Sequence, residues 1–388
     1  MEKTSSVLAA LSPRARRAVA LIALATVAIA GASTYYLRPW VVLRAASNTA
    51  SIPSPPAREQ GGWVQYTFLN AALGWAMVVS PGPDRDVGAY AVLKTVDGAK
   101  HWEKRFEGRK SLLSGANLQF VDRSTAFVAV GDPLELHRTR DGGEHWTAMA
   151  VPEQALSGFG FRFVDPLNGW LFAGPGNQGP HLFASNDGGV TWAELNSLPA
   201  DIGWPEFRSS LEGWAGSSGS GLPHVYKTID GGTTWERRDL PDAPELAQAD
   251  QVSTWVTLIP HVGVIVGAFP QAPGSGRQYG YKSLDERTWT PLVGPTGSDG
   301  RTEDVLGSVF QDATHWWVVE GPDLYKTADR GDTWFHIDAH LPENLYVIQV
   351  LDSRHAWGQT FSGPSSGGLV FTADGGLHWT IANPPSRQ

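Results

Sequence analysis

TRDGGEHW at 139–146 and TIDGGTTW at 228–235 are two copies of one short pattern, and its recurrence decides the fold. The pattern returns as TVDGAKHW at 95–102, SNDGGVTW at 185–192, TADRGDTW at 327–334 and TADGGLHW at 372–379, with a shortened SLDERTW at 283–289. Its closing residues are Trp102, Trp146, Trp192, Trp235, Trp289, Trp334 and Trp379, at intervals of 44, 46, 43, 54, 45 and 45 residues. Seven units at that period signal a solenoid or a propeller.

Each unit carries a second feature ahead of the pattern. FLNAALGWAMV (68–78), FVDRSTAFVAVG (120–131), FRFVDPLNGWLFAG (161–174), FRSSLEGWAG (207–216), VFQDATHWWVVEG (309–321) and LDSRHAWGQTF (351–361) each hold two short apolar strands around a polar turn. The strand entering the pattern and the strand leaving its tryptophan bring the number to four per unit. The reading is therefore all-β: a seven-bladed β-propeller with four-stranded blades over residues 62–388. The first blade is expected to close the ring by packing on the last.

The pattern has a mechanical role on the turn between the third and fourth strands. Asp97, Asp141, Asp187, Asp230, Asp285, Asp329 and Asp374 can accept backbone N–H bonds across it. The glycines supply positive φ, the leading threonine or serine bonds locally, and the tryptophan packs into the blade edge.

These residues resemble the Asp-box, or BNR, repeat. With the paired F…GW segment, the chain is similar to BNR-like propellers of the photosystem II stability and assembly factor type. It also resembles the WD40/YVTN/BNR-like propellers of bacterial exported proteins. The resemblance spans roughly residues 62–388 and implies a fold more than a function. Departures are mild: Ala99 stands for a motif glycine, His101, His145 and His378 stand for threonine, and the fifth turn lacks a residue and its glycine pair.

The N-terminus is of another kind. Residues 1–17 are a basic segment, and AVALIALATVAIAGASTYYL at 18–37 is long enough as a helix to cross a bilayer. The arginines before it favour an N-terminus inside and the propeller outside a bacterial cytoplasmic membrane. Ala28-Ile29-Ala30 would also serve as a signal-peptide cleavage site, giving a secreted protein. Residues 38–61 read as a linker.

Of 388 residues, 41% are hydrophobic and only 18% charged, with 44 glycines and 17 tryptophans. That composition favours short strands joined by turns. Beyond residue 44 there are 24 basic and 38 acidic residues, a formal charge of −14, which opposes binding to nucleic acid or anionic lipid. Cysteine is absent, so there is no disulfide framework and no thiol nucleophile.

The residues show no catalytic motif, metal set or cofactor fingerprint, and no cofactor is expected. The turn aspartates are spread one to a blade and lack the ligand series of a calcium loop. Sialidases share the Asp box, but the Arg-Ile-Pro segment and three-arginine clamp of that family have no counterpart here. A hydrolytic pair of carboxylates would have to come from residues such as Glu194, Glu206, Glu212 and Asp323. Binding is placed on the loops that vary in length, above all FPQAPGSGRQYG at 269–280, with Phe269, Arg277 and Tyr279. Arg162 and Arg208, each after a phenylalanine, are placed beside the central channel; in the photosystem assembly factors, arginines contact a membrane protein. The expected role is a non-enzymatic scaffold engaging an envelope or membrane protein. A carbohydrate- or cell-wall-binding module and a sialidase-like hydrolase are the alternatives.

Overall fold

A computed structural model describes residues 62–388, except 81, 83–86, 112–115, 154–158, 177–178, 221, 244–245, 247–248, 250, 271–278, 297–304, 363–364 and 386–388. The segment at 18–37 and the linker lie outside the described residues. Among the described residues no helix is long and apolar enough to cross a membrane.

The described chain folds into 28 strands. Five antiparallel sheets are each built from four consecutive strands, and strands 13 to 20 form two further groups of four joined in one eight-stranded sheet. The join arises because β14 (Gly213–Ser220) pairs with β15 (His224–Thr228) at one end and with β17 (Gln251–Leu258) at the other, setting Ser218 opposite Ser253. This repetition makes the architecture all-β and propeller-like.

Burial explains the repeat. The second strand of each group is covered on both faces: β2 (Gly74–Ser80) and β6 (Ala126–Val130) are buried along almost their whole length. A continuous apolar run is what such a strand requires. Most fourth strands are short and exposed, as in β8 (Thr147–Met149) and β28 (Thr380–Ala382), which blunts the outer edge.

The F…GW pairing turns out to join neighbouring sheets. Phe120, ending β5 (Ala116–Phe120), stacks on Trp75 of the preceding sheet at 3.6 Å between ring centres. Phe163 stacks on Phe127 at 3.5 Å and Phe207 on Trp170 at 3.6 Å. The same contact joins first to last: Phe68 of β1 (Trp63–Phe68) stacks on Trp357 of β26 (Ala356–Ser362) at 3.9 Å. β1 pairs with β2 and β25 (Leu345–Val350) with β26, so the two end sheets are each complete and meet by packing. Trp102 Nε1 donates to the Asn383 carbonyl at 2.8 Å along the same seam.

Side-chain amides hold the inner edges. Gln65 accepts from the Leu118 N–H at 2.9 Å and donates to its carbonyl at 3.1 Å. Gln119 does the same to Phe163, at 2.9 and 2.7 Å, and Gln349 accepts from the Phe68 N–H at 3.0 Å. An amide carries both a donor and an acceptor, so one side chain can satisfy both backbone groups of an edge residue.

Candidate functional site

The aspartate turns carry the hydrogen bonds of a structural device. In the turn at 139–146, Thr139 Oγ1 donates to Asp141 Oδ1 at 2.8 Å and accepts from the Gly143 N–H at 2.9 Å. Asp141 Oδ1 also accepts from the His145 N–H at 2.9 Å, while His145 Nδ1 lies 2.7 Å from Oδ2. Where threonine holds that position the hydroxyl takes the same oxygen: Thr191 on Asp187, Thr234 on Asp230 and Thr333 on Asp329, all at 2.6 Å. His101 and His378 repeat the imidazole version on Asp97 and Asp374. Threonine and histidine are thus exchangeable here because either can donate to Oδ2.

Each turn is also tied to its neighbours. Gly142 donates to the Ser124 carbonyl at 2.8 Å, fixing it to the first turn of its own sheet. Lys94 from the preceding sheet donates to the Gly142 carbonyl at 3.0 Å, and Arg138 and Lys326 make equivalent bonds to Gly188 and Gly375 at 2.6 Å. Trp146, Trp235 and Trp379 bond a glycine carbonyl of their own turn, whereas Trp192 and Trp334 reach back to the preceding sheet and Trp102 reaches the end of the last. Trp289 packs edge-on to Trp214 at 6.1 Å.

These bonds favour the ionised carboxylates. Bonds from His101 hold Asp97 at about 2, and bonds from Thr333 and His378 do the same for Asp329 and Asp374. An unfolded aspartate titrates near 4. A folded value below that gives stability fully present above about pH 4 and lost as pH falls toward about 2. Melting temperatures are therefore expected to stay level from neutral pH down to about 5 and to drop steeply below about 4. A calorimetric series showing no acid-side drop would contradict this account of the turns.

The fifth turn, lacking its glycines, is rebuilt around Glu286, which adopts φ of 59°. Arg208 Nη1 pairs with Glu286 at 2.6 Å and with Glu212 at 2.7 Å, and its Nη2 donates to the Gly263 carbonyl at 2.5 Å. Lys227 Nζ pairs with the other Glu286 oxygen. Burial pushes the Glu286 carboxyl upward, and the Lys227 and Arg208 contacts outweigh it, leaving it below the ordinary range. The structure thus places Arg208 in a mostly buried ion cluster at the seam between the fourth and fifth groups.

Arg162 has a different setting. It lies in β9 (Phe159–Phe163), in the position just before the terminal phenylalanine that Gln119 holds one sheet earlier. Arginine has no acceptor and cannot clip a neighbouring backbone as glutamine does. Its Nε instead faces Glu206 of β13 (Ile202–Phe207) at 3.8 Å, beyond hydrogen-bonding range, and that nitrogen is buried without a partner. The Arg162 side chain remains 43% exposed and that of Glu206 20%. Burial raises the Glu206 carboxyl above the ordinary range, with Arg162 opposing. Two residues before Glu206, Trp204 lies against Gly160, where any Cβ would overlap its ring. Arg162, Glu206 and Trp204 therefore lie together where β9 meets β13. Arg105, Arg208, Arg237 and Arg238 each have a carboxylate within 2.8 Å.

Phe269 and Tyr279 bracket a hairpin. Phe269 stands in β18 (Val264–Pro270) opposite Ser253, its ring 5.4 Å from Trp255; Tyr279 opens β19 (Tyr279–Ser283) opposite Ala268, 4.7 Å from Tyr281. Arg277 lies outside the described residues. Of the four carboxylates considered for hydrolysis, each faces its own partner: Glu194 and His181 at 2.7 Å, Glu206 and Arg162, Glu212 and Arg208, Asp323 and His336 at 2.9 Å. Among the described residues no group of three or more histidine, aspartate or glutamate side chains is placed to hold a metal ion.

Sequence reasoning did not single out Trp204 or the role of Glu206 beside Arg162. The available signal was the residue before each terminal phenylalanine, which runs Gln119, Arg162, Glu206 through successive sheets.

No protein-family model matches the sequence. No curated protein matches it either. Solved structures match at the level of fold. An acylaminoacyl peptidase from Pyrococcus horikoshii aligns with a TM-score of 0.51 and 10% identity over 84% of this chain and 53% of that enzyme, so the chain spans about half its length. YCF48 from Cyanidioschyzon merolae aligns at 0.46 and 14% identity, over 80% of this chain and 99% of that one. The GH74 xyloglucanase from Xanthomonas campestris aligns at 0.46 and 16% identity, over 84% and 69%.

Proposed function

We propose that this chain is a seven-bladed propeller of the Asp-box kind, exported and held at the outer face of a cytoplasmic membrane by residues 18–37. In this reading it binds an envelope or membrane protein as a non-enzymatic scaffold. The observation that carries the reading is Arg162, a half-exposed cation in β9 whose nearest carboxylate stands at 3.8 Å. An acidic or carbonyl-bearing segment of a partner would complete the hydrogen bonds that Glu206 leaves unmade, and Trp204 would give it an apolar support. The exposed part of the Arg162 guanidinium would make a charge-assisted bond to that segment. Phe269, Tyr279 and Arg277, on the variable hairpin, form the second candidate contact. Arg208 contributes indirectly by holding the fourth and fifth groups together. The linker keeps the propeller close to the bilayer and raises its effective concentration for membrane partners.

The test is affinity purification of full-length protein from cross-linked, detergent-solubilised membranes of its host, read by mass spectrometry. Arg162→Gln is expected to abolish recovery of the partner while leaving the melting temperature within a few degrees, since it removes the cation without setting a second carboxylate beside Glu206. Recovery of the same partner by the variant would remove Arg162 from the site. Recovery of none by the native chain would sink the scaffold reading.

A further inference from the structure

A groove of about 310 Å³ lies on the outer rim, between the segment that follows β20 (Thr290–Pro291) and the paired strands β23 (Asp323–Thr327) and β24 (Phe335–Ile337). Val293, Pro295, Thr296, Asp332, Trp334 and His336 line it. It shares no residue with the Arg162 site. We propose that this groove is a binding site for a single neutral sugar ring.

Size sets the first limit. The volume is at the lower end of ligand sites, about 300–1,000 Å³, and is matched by one ring. The aromatic surface is the second. Trp334 is held by the bond from its Nε1 to the Val293 carbonyl at 3.2 Å, so its ring is fixed and its indole N–H is spent. The part of the ring that lines the groove is an apolar surface suited to the C–H side of a pyranose. Tyr325, also in the lining, is 3% exposed; one aromatic platform suits one ring, whereas a polyproline helix needs a row of aromatic ridges.

Charge and hydrogen-bonding capacity set the third limit. Asp332 is paired with Lys282 Nζ at 2.7 Å through Oδ1, and His336 is oriented by Asp323 through Nε2 at 2.9 Å. Among the described lining residues there is no lysine or arginine, and the cation beside them, Lys282, is spent on Asp332 and the Arg330 carbonyl, so none of them offers a free positive charge to a phosphate, sulfate or carboxylate. Asp332 Oδ2 and His336 Nδ1 point to a need for donors, and Thr296 can either give or accept. A neutral molecule with several adjacent hydroxyls meets that pattern.

The experiment is saturation-transfer NMR on the full-length chain in a sugar-free zwitterionic detergent. The probes are glucose, galactose, mannose, N-acetylglucosamine and their β-linked dimers. Transfer to the ring protons of at least one sugar is expected, with an affinity of about 1 mM. His336→Ala and Thr296→Val should each weaken it roughly tenfold, the effect of losing about one hydrogen bond. Arg162→Gln should leave it unchanged, which keeps this site's fate separate from that of the Arg162 site. No transfer from any probe at about ten times that concentration would overturn the proposal. So would transfer indifferent to both groove substitutions, or binding of a proline-rich peptide with no sugar bound.

Discussion

Replacing Trp357 with alanine is expected to destabilise the protein by about 3–5 kcal/mol, the usual cost of emptying a large aromatic site in a core. Trp357 is 1% exposed and Phe68 0% exposed, and they stack with an interplanar angle of 7°. The pair joins the first sheet to the last, where packing and side-chain bonds substitute for an exchanged strand. Loss should therefore be local before it is global. In limited proteolysis, early cuts in the variant are expected within the first or last sheet. Trp357→Phe, which keeps a ring on Phe68, should recover most of the midpoint in denaturant. Cleavage spread evenly over all sheets would show that this seam is no weaker than the others.

Glu286→Ala should rank beside it. Removing the carboxylate leaves Arg208 and Lys227 close together and mostly buried, 19% and 18% exposed, with Glu212 as the remaining anion. Breaking a buried pair by deleting one partner costs about 3–5 kcal/mol, because an uncompensated charge stays behind. A second substitution, Arg208→Ala, should then cost much less than it does alone. Chemical denaturation of the four proteins of that cycle measures the coupling, expected to exceed 1 kcal/mol for residues in one network, within the range of about 0.5–3. Additive effects would mean that the cluster is solvated enough to be energetically idle.

Periodicity revealed the repeat because every unit must meet the same two demands. A strand covered on both faces needs a continuous apolar run, and a tight turn needs an acceptor and a positive φ. Those demands act within a few residues, so they leave local marks such as Asp141 and Gly143. The contacts between units were less legible. Phe120 reads as core in its own segment, and only the structure shows that its partner is Trp75, 45 positions earlier. Gln65 looked like any polar residue on a strand, yet it clips Leu118. Arg208 illustrates the same limit: its partner Glu286 is 78 positions away, inside the turn that departs from the pattern. Arg162 was visible in the sequence as a cation before a phenylalanine, while Trp204 and Glu206 gained meaning only beside it.

The first and last sheets are each made of consecutive strands, as are the other groups of four. A gene encoding such a chain can gain or lose one whole unit by a single in-frame duplication or deletion without orphaning a strand. Had the ring closed by exchanging a strand between its ends, either event would still have to preserve that one long-range pairing. Here the ends ask only for an aromatic face and a side-chain amide in the right places, which some other units, such as that of Gln119 and Phe120, already carry. Selection can therefore test rings of different number with sequences already in hand. The fused fourth and fifth groups, bound by Glu286 and the Ser218–Ser253 pairing, are where such an event would do most harm.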